Sequence, residues 1–290
     1  MRLFLDCLRS GARPNEAWVW REFFRVPPLH PLPGRAAGRL LSILGAASEH
    51  RILNDKLATS EMLVRGGLTV PSLLGIIRPG TGLAPDAPAW THPGELFIKP
   101  RQGSGGRGAR VVQGAASLPA DVATEMLVQA RLTGPVLRLT TARNPGEAPF
   151  VHSALLAFDV PGENPRNFIR GQIRVPIDTH SGGMKGGIWF LHPAVRYAAL
   201  PWNQAPIENW PAPDFKRAAE MALQAMALVS GLALVNWDMM LTPSGPVILE
   251  GNTCGDWILT NLGEIQGLDT PPLVPLLRRW VSQLRHDSAV

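Results

Sequence analysis

Val235-Asn236-Trp237-Asp238-Met239-Met240-Leu241-Thr242-Pro243-Ser244-Gly245-Pro246-Val247-Ile248-Leu249-Glu250-Gly251-Asn252 reads as two short apolar runs joined by a turn. Pro243 suits the first central position of a type I turn, and Gly245 suits the left-handed residue that closes a three-residue hairpin loop. With that loop Thr242 faces Pro246, Met240 faces Ile248, Asp238 faces Glu250 and Asn236 faces Asn252. Strand side chains alternate, so Trp237, Met239, Leu241, Val247 and Leu249 would share an apolar face. Asn236, Asp238, Glu250 and Asn252 would share the other. Two carboxylates then lie opposite each other with β-carbons about 5 Å apart, an arrangement that repels unless a cation joins it. Oxygen ligands from Asp238, Glu250 and the Asn252 amide suit a hard divalent ion. Magnesium usually combines one or two carboxylates with substrate phosphates, so the pattern points to a nucleotide. The plain alternative is an edge hairpin whose polar face is solvated. A loop of two or four residues would put the carboxylates on opposite faces.

Composition narrows the class. The chain has 290 residues, enough for one large domain or two small ones packed together. Apolar residues make up 45%, ordinary for a chain that buries a core, and charged ones 18%, somewhat low. The net charge of +5 comes from cations scattered singly, with one Tyr and no basic run, which argues against a nucleic-acid partner. Cys7 and Cys254 make neither a disulfide framework nor a zinc site. No stretch approaches the roughly eighteen apolar residues of a membrane span. The opening Met1–Asp6 is interrupted by charge and does not read as a secretory signal. These features together predict a reduced, cytoplasmic, soluble protein.

Upstream of the hairpin, residues 1–47 read as a short helix bearing Trp18, Trp20, Phe23 and Phe24, a proline-rich crossing, and a helix over 35–47. A helix is expected over 54–67, capped by Asn54 or Asp55 and ended by Gly66-Gly67. Lys56 falls in its first turn, a poor place for a cation on dipole grounds, and is either solvated or reaching for phosphate. Strands are expected over 70–77, 95–100 and 109–112. Gly103-Ser104-Gly105-Gly106-Arg107-Gly108 lies between the last two. Its G-x-G-x-x-G spacing is not a dinucleotide fingerprint, because a strand follows where a helix is required, and no G-K-[ST] is present. What remains is a hairpin with a Gly-rich tip able to fold over phosphates, with Lys99 just before it. A short helix over 118–126 and strands over 126–129, 136–141, 155–160 and 171–177 follow. Arg138 shares a face with Thr140 on its strand, and an inward Arg is costly unless it meets an anion. Lys185 sits at the tip of a second Gly-rich turn, 180–187, and is a candidate substrate contact or a plain turn residue. The clearest helix spans 214–229, and another spans 271–284. Cys254 reads as small filler rather than a nucleophile. Asp256 and Trp257 are candidates for the substrate side of the metal site.

The series Asn54-Asp55-Lys56, Phe97-Ile98-Lys99-Pro100 with its Gly-rich tip, Leu127-Val128-Gln129, Leu137-Arg138-Leu139, Asn236-Trp237-Asp238 and Leu249-Glu250-Gly251-Asn252 resembles the ATP-grasp superfamily over roughly residues 51–262. It is most similar to the sugar-transfer-associated group. The resemblance implies an α+β fold in which two α+β subdomains clasp ATP. The expected divisions are a helical segment at 1–50, a small subdomain with the Gly-rich lid at 51–130, and a large subdomain with the metal site at 131–290. It further implies that Lys56 and Lys99 contact phosphates. Gly103, Ser104, Gly105 and Gly106 would close over them. Backbone at Leu127 and Val128 would read adenine, with Gln129 near the ribose where an acidic residue is more usual. Asp238, Glu250 and Asn252 would hold Mg2+, and Arg138, with Lys185, would serve the chemistry. The implied reaction is an ATP- and magnesium-dependent ligation: a small-molecule carboxylate becomes an acyl phosphate and passes to an amine or similar nucleophile, as in glycan or secondary-metabolite biosynthesis. A phosphotransferase on the same nucleotide site and a nucleotide-binding accessory protein are the alternatives. The lack of H-R-D and D-F-G argues against a protein kinase.

Overall fold

The computed structural model describes residues 34–253 and 273–287, apart from positions 104, 166, 168, 193 and 194. The expected aromatic helix near Trp18, and Ser104, Cys254, Asp256 and Trp257, lie outside the described residues.

The described residues open on three helices, α1 (Gly34–Ile43), α2 (Ala47–Asn54) and α3 (Lys56–Arg65). The expected single helix over 35–47 stops at Ile43, because Gly45 takes a left-handed φ of 103° before α2 begins. Asp55 caps α3 by accepting hydrogen bonds from the backbone N–H groups of Leu57 and Ala58. A five-stranded antiparallel sheet follows, built from β1 (Leu73–Arg78), β2 (Gly82–Leu83), β3 (Leu96–Pro100), β4 (Arg110–Val112) and β5 (Met126–Ala130), in the order β2-β1-β5-β3-β4. No helix forms over 118–126. Pro119 interrupts the stretch, and the Asp121 carboxylate accepts from the N–H groups of Gly80 and Val122, which holds it as a turn. Ile77, Leu96, Ile98 and Val128 form the small core behind this sheet.

The second sheet has seven strands: β6 (Val136–Ala142), β7 (Phe150–Asp159), β8 (Gln172–Ile177), β9 (Gly187–Trp189), β10 (Arg196–Tyr197), β11 (Leu234–Thr242) and β12 (Gly245–Asn252), in the order β10-β9-β8-β7-β6-β11-β12. Helix α4 (Phe215–Ala227) lays Ala218, Met221, Ala222, Ala225 and Met226 against it, the 3.6-residue stripe of the sequence. Helix α5 (Leu273–Asp287) packs Leu276, Leu277 and Trp280 beside Leu41, Leu44 and Leu234. The edge strand β12 is covered where the Ile248 N–H donates to the Thr69 carbonyl.

The β11–β12 hairpin corrects the expected register. Thr242 pairs with Gly245 across a two-residue loop, Pro243-Ser244, and the ladder continues Leu241 to Pro246, Met240 to Val247 and Met239 to Ile248. Continued unbroken, it would set Asp238 against Leu249. Instead the register shifts by one residue at Leu249, and Asp238 meets Glu250 while Asn236 meets Asn252. A β-bulge therefore restores the pairing that the shorter loop would have destroyed. The core face changes in consequence: Ile248 joins Trp237, Met239 and Leu241 in the large core cluster, while Val247 is buried outside that cluster and Leu249 lines the cleft.

Candidate functional site

A cavity of about 600 Å³ lies between the two sheets. The small sheet supplies Phe97 and Lys99, which alternation puts on one face of β3 while Leu96 and Ile98 turn to the core. Helix α3 supplies Lys56, and the loop after β3 supplies Gly103, Gly105, Gly106 and Arg107. The large sheet supplies Arg138, Asp238, Glu250 and Asn252. Residues far apart in sequence thus meet in one place.

The Gly-rich loop owes its path to glycine. Gly103, Gly105, Gly106 and Gly108 all have φ between 65° and 113°, where a Cβ is disfavoured. Its base is fastened to α3: Lys56 Nζ donates to the Gly103 carbonyl at 2.6 Å, and the Lys56 N–H donates to the Arg101 carbonyl at 3.0 Å. Arg101 pairs with Asp55 at 2.7 Å and with Glu125 at 2.8 Å. The guanidinium holds the Asp55 carboxyl below its ordinary pKa, so the cap stays ionised.

Lys99 is 7% exposed, and its Nζ donates to the Leu249 carbonyl at 3.2 Å. That carbonyl belongs to the bulge residue. Burial pushes the Lys99 pKa down to about 8; Glu250 opposes the shift and Lys56 adds to it. Opposite, Arg138 lies directly across from Asp238 on neighbouring strands. Its Nε and Nη2 donate to Asp238 Oδ1 and Oδ2 at 2.7 and 2.9 Å, a bidentate pair. The two side chains are only 22% and 14% exposed, so the polar face of the hairpin is not simply solvated. Asn252 Nδ2 lies 3.2 Å from Glu250 Oε1 and 3.4 Å from Asp238 Oδ2. Half a turn of the amide presents its oxygen instead.

The donor set of two carboxylates and an amide, converging within hydrogen-bond distance, fits a hard divalent cation. Among the described residues no cluster of three His, Cys, Asp or Glu side chains exists, so a metal here would complete its shell with substrate oxygens and water. Asp238 would share or exchange its guanidinium partner for the metal.

Two groups of expected residues do not line the cavity. Leu127, Val128 and Gln129 sit in β5, the middle strand of the small sheet, paired to β1 on one side and β3 on the other. Their side chains are almost wholly buried and none lines the cavity, while Leu127 stands opposite Lys99 and Gln129 opposite Phe97, which sets both on the cleft face of the sheet. Lys185 lies off the cavity too. Its N–H donates to the Pro176 carbonyl, and its Nζ stands 3.8 Å from Asp178, whose carboxylate also caps the turn at His180 and Ser181. Conversely Gln172 and Arg174 line the cavity without having been singled out. Period-two reading of Gln172-Ile173-Arg174-Val175 would have found them, since Ile173, Val175 and Ile177 take the core face.

Two antiparallel sheets facing each other across this cleft, with a Gly-rich loop over one side, make the ATP-grasp fold. The structure is similar to a D-alanine–D-alanine ligase from Bacillus anthracis complexed with ATP (TM-score 0.56, 14% identity, 84% of this chain and 71% of that one). It is also similar to the VanG D-Ala:D-Ser ligase from Enterococcus faecalis (0.52, 16%, 82% and 63%) and to the ATP-grasp ligase PsnB complexed with minimal precursor (0.50, 18%, 83% and 63%). No family model and no curated protein matches the sequence. Among the described residues no helix is long and apolar enough to cross a membrane.

Proposed function

We propose that the cleft binds ATP with magnesium and uses it to activate a carboxylate as an acyl phosphate, which an amine or similar nucleophile then captures. The observation that carries this reading is the convergence of Lys56, Lys99, Arg138, Asp238, Glu250 and Asn252 on one cavity. Phe97 from the small sheet, with Val136 and Leu249 from the large one, would sandwich the base. Lys56 and Lys99 would neutralise phosphate oxygens, and Gly103, Gly105 and Gly106 would offer backbone N–H groups to them. Ser104 belongs to the same proposed lid. Asp238, Glu250 and Asn252 would hold magnesium, which draws charge from the phosphates. Arg138, freed in part from Asp238, would steady the transferred phosphoryl group. Phosphoryl transfer is mostly positioning and charge neutralisation, and these side chains suit that task. An acyl phosphate hydrolyses when wet, so a loop closing over it has a purpose.

The structural neighbours support the reading because each is a ligase by name, and one was solved with ATP. The finer likeness, to the sugar-transfer-associated group, rests on the sequence motifs alone. Product analysis tests the proposal. Inorganic phosphate and ADP released only when a carboxylate and a nucleophile are both supplied would support it. Phosphate retained on the product would replace it with a phosphotransferase.

A further inference from the structure

The cavity extends sideways beyond the phosphate and metal end. Strands β6, β7 and β8 run side by side, and Ala157 of β7 stands opposite Val136 on one side and Arg174 on the other. Leu155, one ladder step away, stands opposite Arg138. Arg174 is therefore separated from the strand of Arg138 by the width of two strand spacings, about 10 Å. Between the two guanidinium-bearing strands lies a floor of Leu155 and Ala157, both on the cavity wall.

Arg174 is not a surface cation. It is 5% exposed, its guanidinium lies 5.2 Å from the Phe190 ring centroid, and its Nη2 donates to Gln172 Oε1 at 3.4 Å. A ring beneath one face and an amide at one nitrogen give the planar fork a defined direction. Gln172 is on the same wall. Among the described residues of the phosphate end, Lys56, Lys99, Arg107 and Arg138 face the carboxylates of Asp238 and Glu250. Arg174 forms a second cationic pole across an apolar floor.

A carboxylate undergoing phosphorylation must sit at the phosphate end, and from there a second group of the same molecule can reach Arg174 across the Leu155 and Ala157 floor. Resting on the function proposed above, we propose that Arg174 and Gln172 form the specificity subsite for the acid substrate. They take a second anionic group, carboxylate or phosphate, carried on a short apolar spacer that lies over Leu155 and Ala157. The acid is then a dianion rather than a simple monocarboxylate.

The test is calorimetric binding to the full chain loaded with magnesium and a non-hydrolysable ATP analogue. Succinate, glutarate and adipate are compared with butyrate, pentanoate and hexanoate, and 4-phosphonobutyrate separates a phosphate preference from a carboxylate one. The expected result is at least tenfold tighter binding of one dianion than of the monoacid of matching length. Arg174→Gln should erase that preference and Arg174→Lys should keep part of it. Affinity for the ATP analogue should stay within about twofold in both variants, which also reports an intact cleft. Equal affinity for monoacids and dianions, or a preference that survives Arg174→Gln, overturns the subsite. A tenfold loss of nucleotide affinity in Arg174→Gln would assign the residue to the nucleotide instead. If the dianion binds as expected but no nucleophile ever yields ADP, the ligase reading falls while the subsite stands. If monoacids alone support ADP release, the ligase reading stands and the subsite falls.

Discussion

Replacing Lys99 by methionine should make the empty protein more stable while removing its affinity for ATP. In its folded surroundings the Lys99 pKa lies at about 8, against an ordinary 10.5, chiefly because burial disfavours the charged form. At about 1.4 kcal/mol per pKa unit, keeping the proton in the folded state at neutral pH costs on the order of 3 kcal/mol. Methionine removes that cost and fills similar space, but gives up the hydrogen bond to the Leu249 carbonyl, about 1 kcal/mol. The net expectation is roughly 2 kcal/mol of stabilisation at pH 7, a rise of a few degrees in Tm for a chain of this size. The pH dependence is the sharper signature. The folded protein loses this proton first, so between about 8 and 10.5 the unfolded chain binds more protons and wild-type stability rises with pH. The methionine variant lacks that rise, so its advantage should shrink across the same window and be gone near pH 10.5. Urea unfolding at pH 7, 8, 9 and 10 measures it, and calorimetric titration with ATP and magnesium measures the lost affinity. A variant less stable than wild type at pH 7, or an offset independent of pH, would refute the reasoning.

Glu250→Gln removes the group that raises the Lys99 pKa, so the pH at which ATP affinity falls should move below about 8, read from affinity against pH. Arg138→Gln frees Asp238 from its bidentate partner, worth about 1.5–3 kcal/mol for a charge-assisted bond. Manganese binding without nucleotide, followed by electron paramagnetic resonance, should tighten about tenfold or more, and unchanged affinity would mean the ion pair does not compete with metal. Gly106→Val forces a β-branched residue to φ 65° in the loop. ATP affinity should fall at least several-fold with little change in Tm, since Gly106 and its neighbours Gly105, Arg107 and Gly108 are exposed; unaltered affinity would remove the loop from phosphate binding.

Much of this architecture was legible from periodicity. The alternation in 95–100 separated Phe97 and Lys99 from Leu96 and Ile98, and the helical stripe of 214–229 located the cover of the large sheet. The pairing of Asp238 with Glu250 was legible too, although through a different loop from the one that sequence favoured. What escaped was context. Strand neighbours cannot be read from a single run, so Leu127-Val128-Gln129 did not show that its strand is paired on both sides. Lys185 on a glycine-rich tip read as a candidate substrate contact, yet it is not among the residues that line the cleft. Arg174 was one cation among many until its strand's inner face was identified.

The bulge at Leu249 links two features that would otherwise vary independently. Adding a residue to the Pro243-Ser244 turn while deleting Leu249 would keep Asp238 opposite Glu250, so the facing carboxylates alone do not need the extra residue. That exchange would, however, remove the main-chain oxygen on which the Lys99 ammonium rests, a contact joining the small sheet to the large one. The irregularity thus works as a clasp between halves: it sets the spacing of the phosphate lysine from the acidic pair, and turn lengths can drift only as far as that clasp allows.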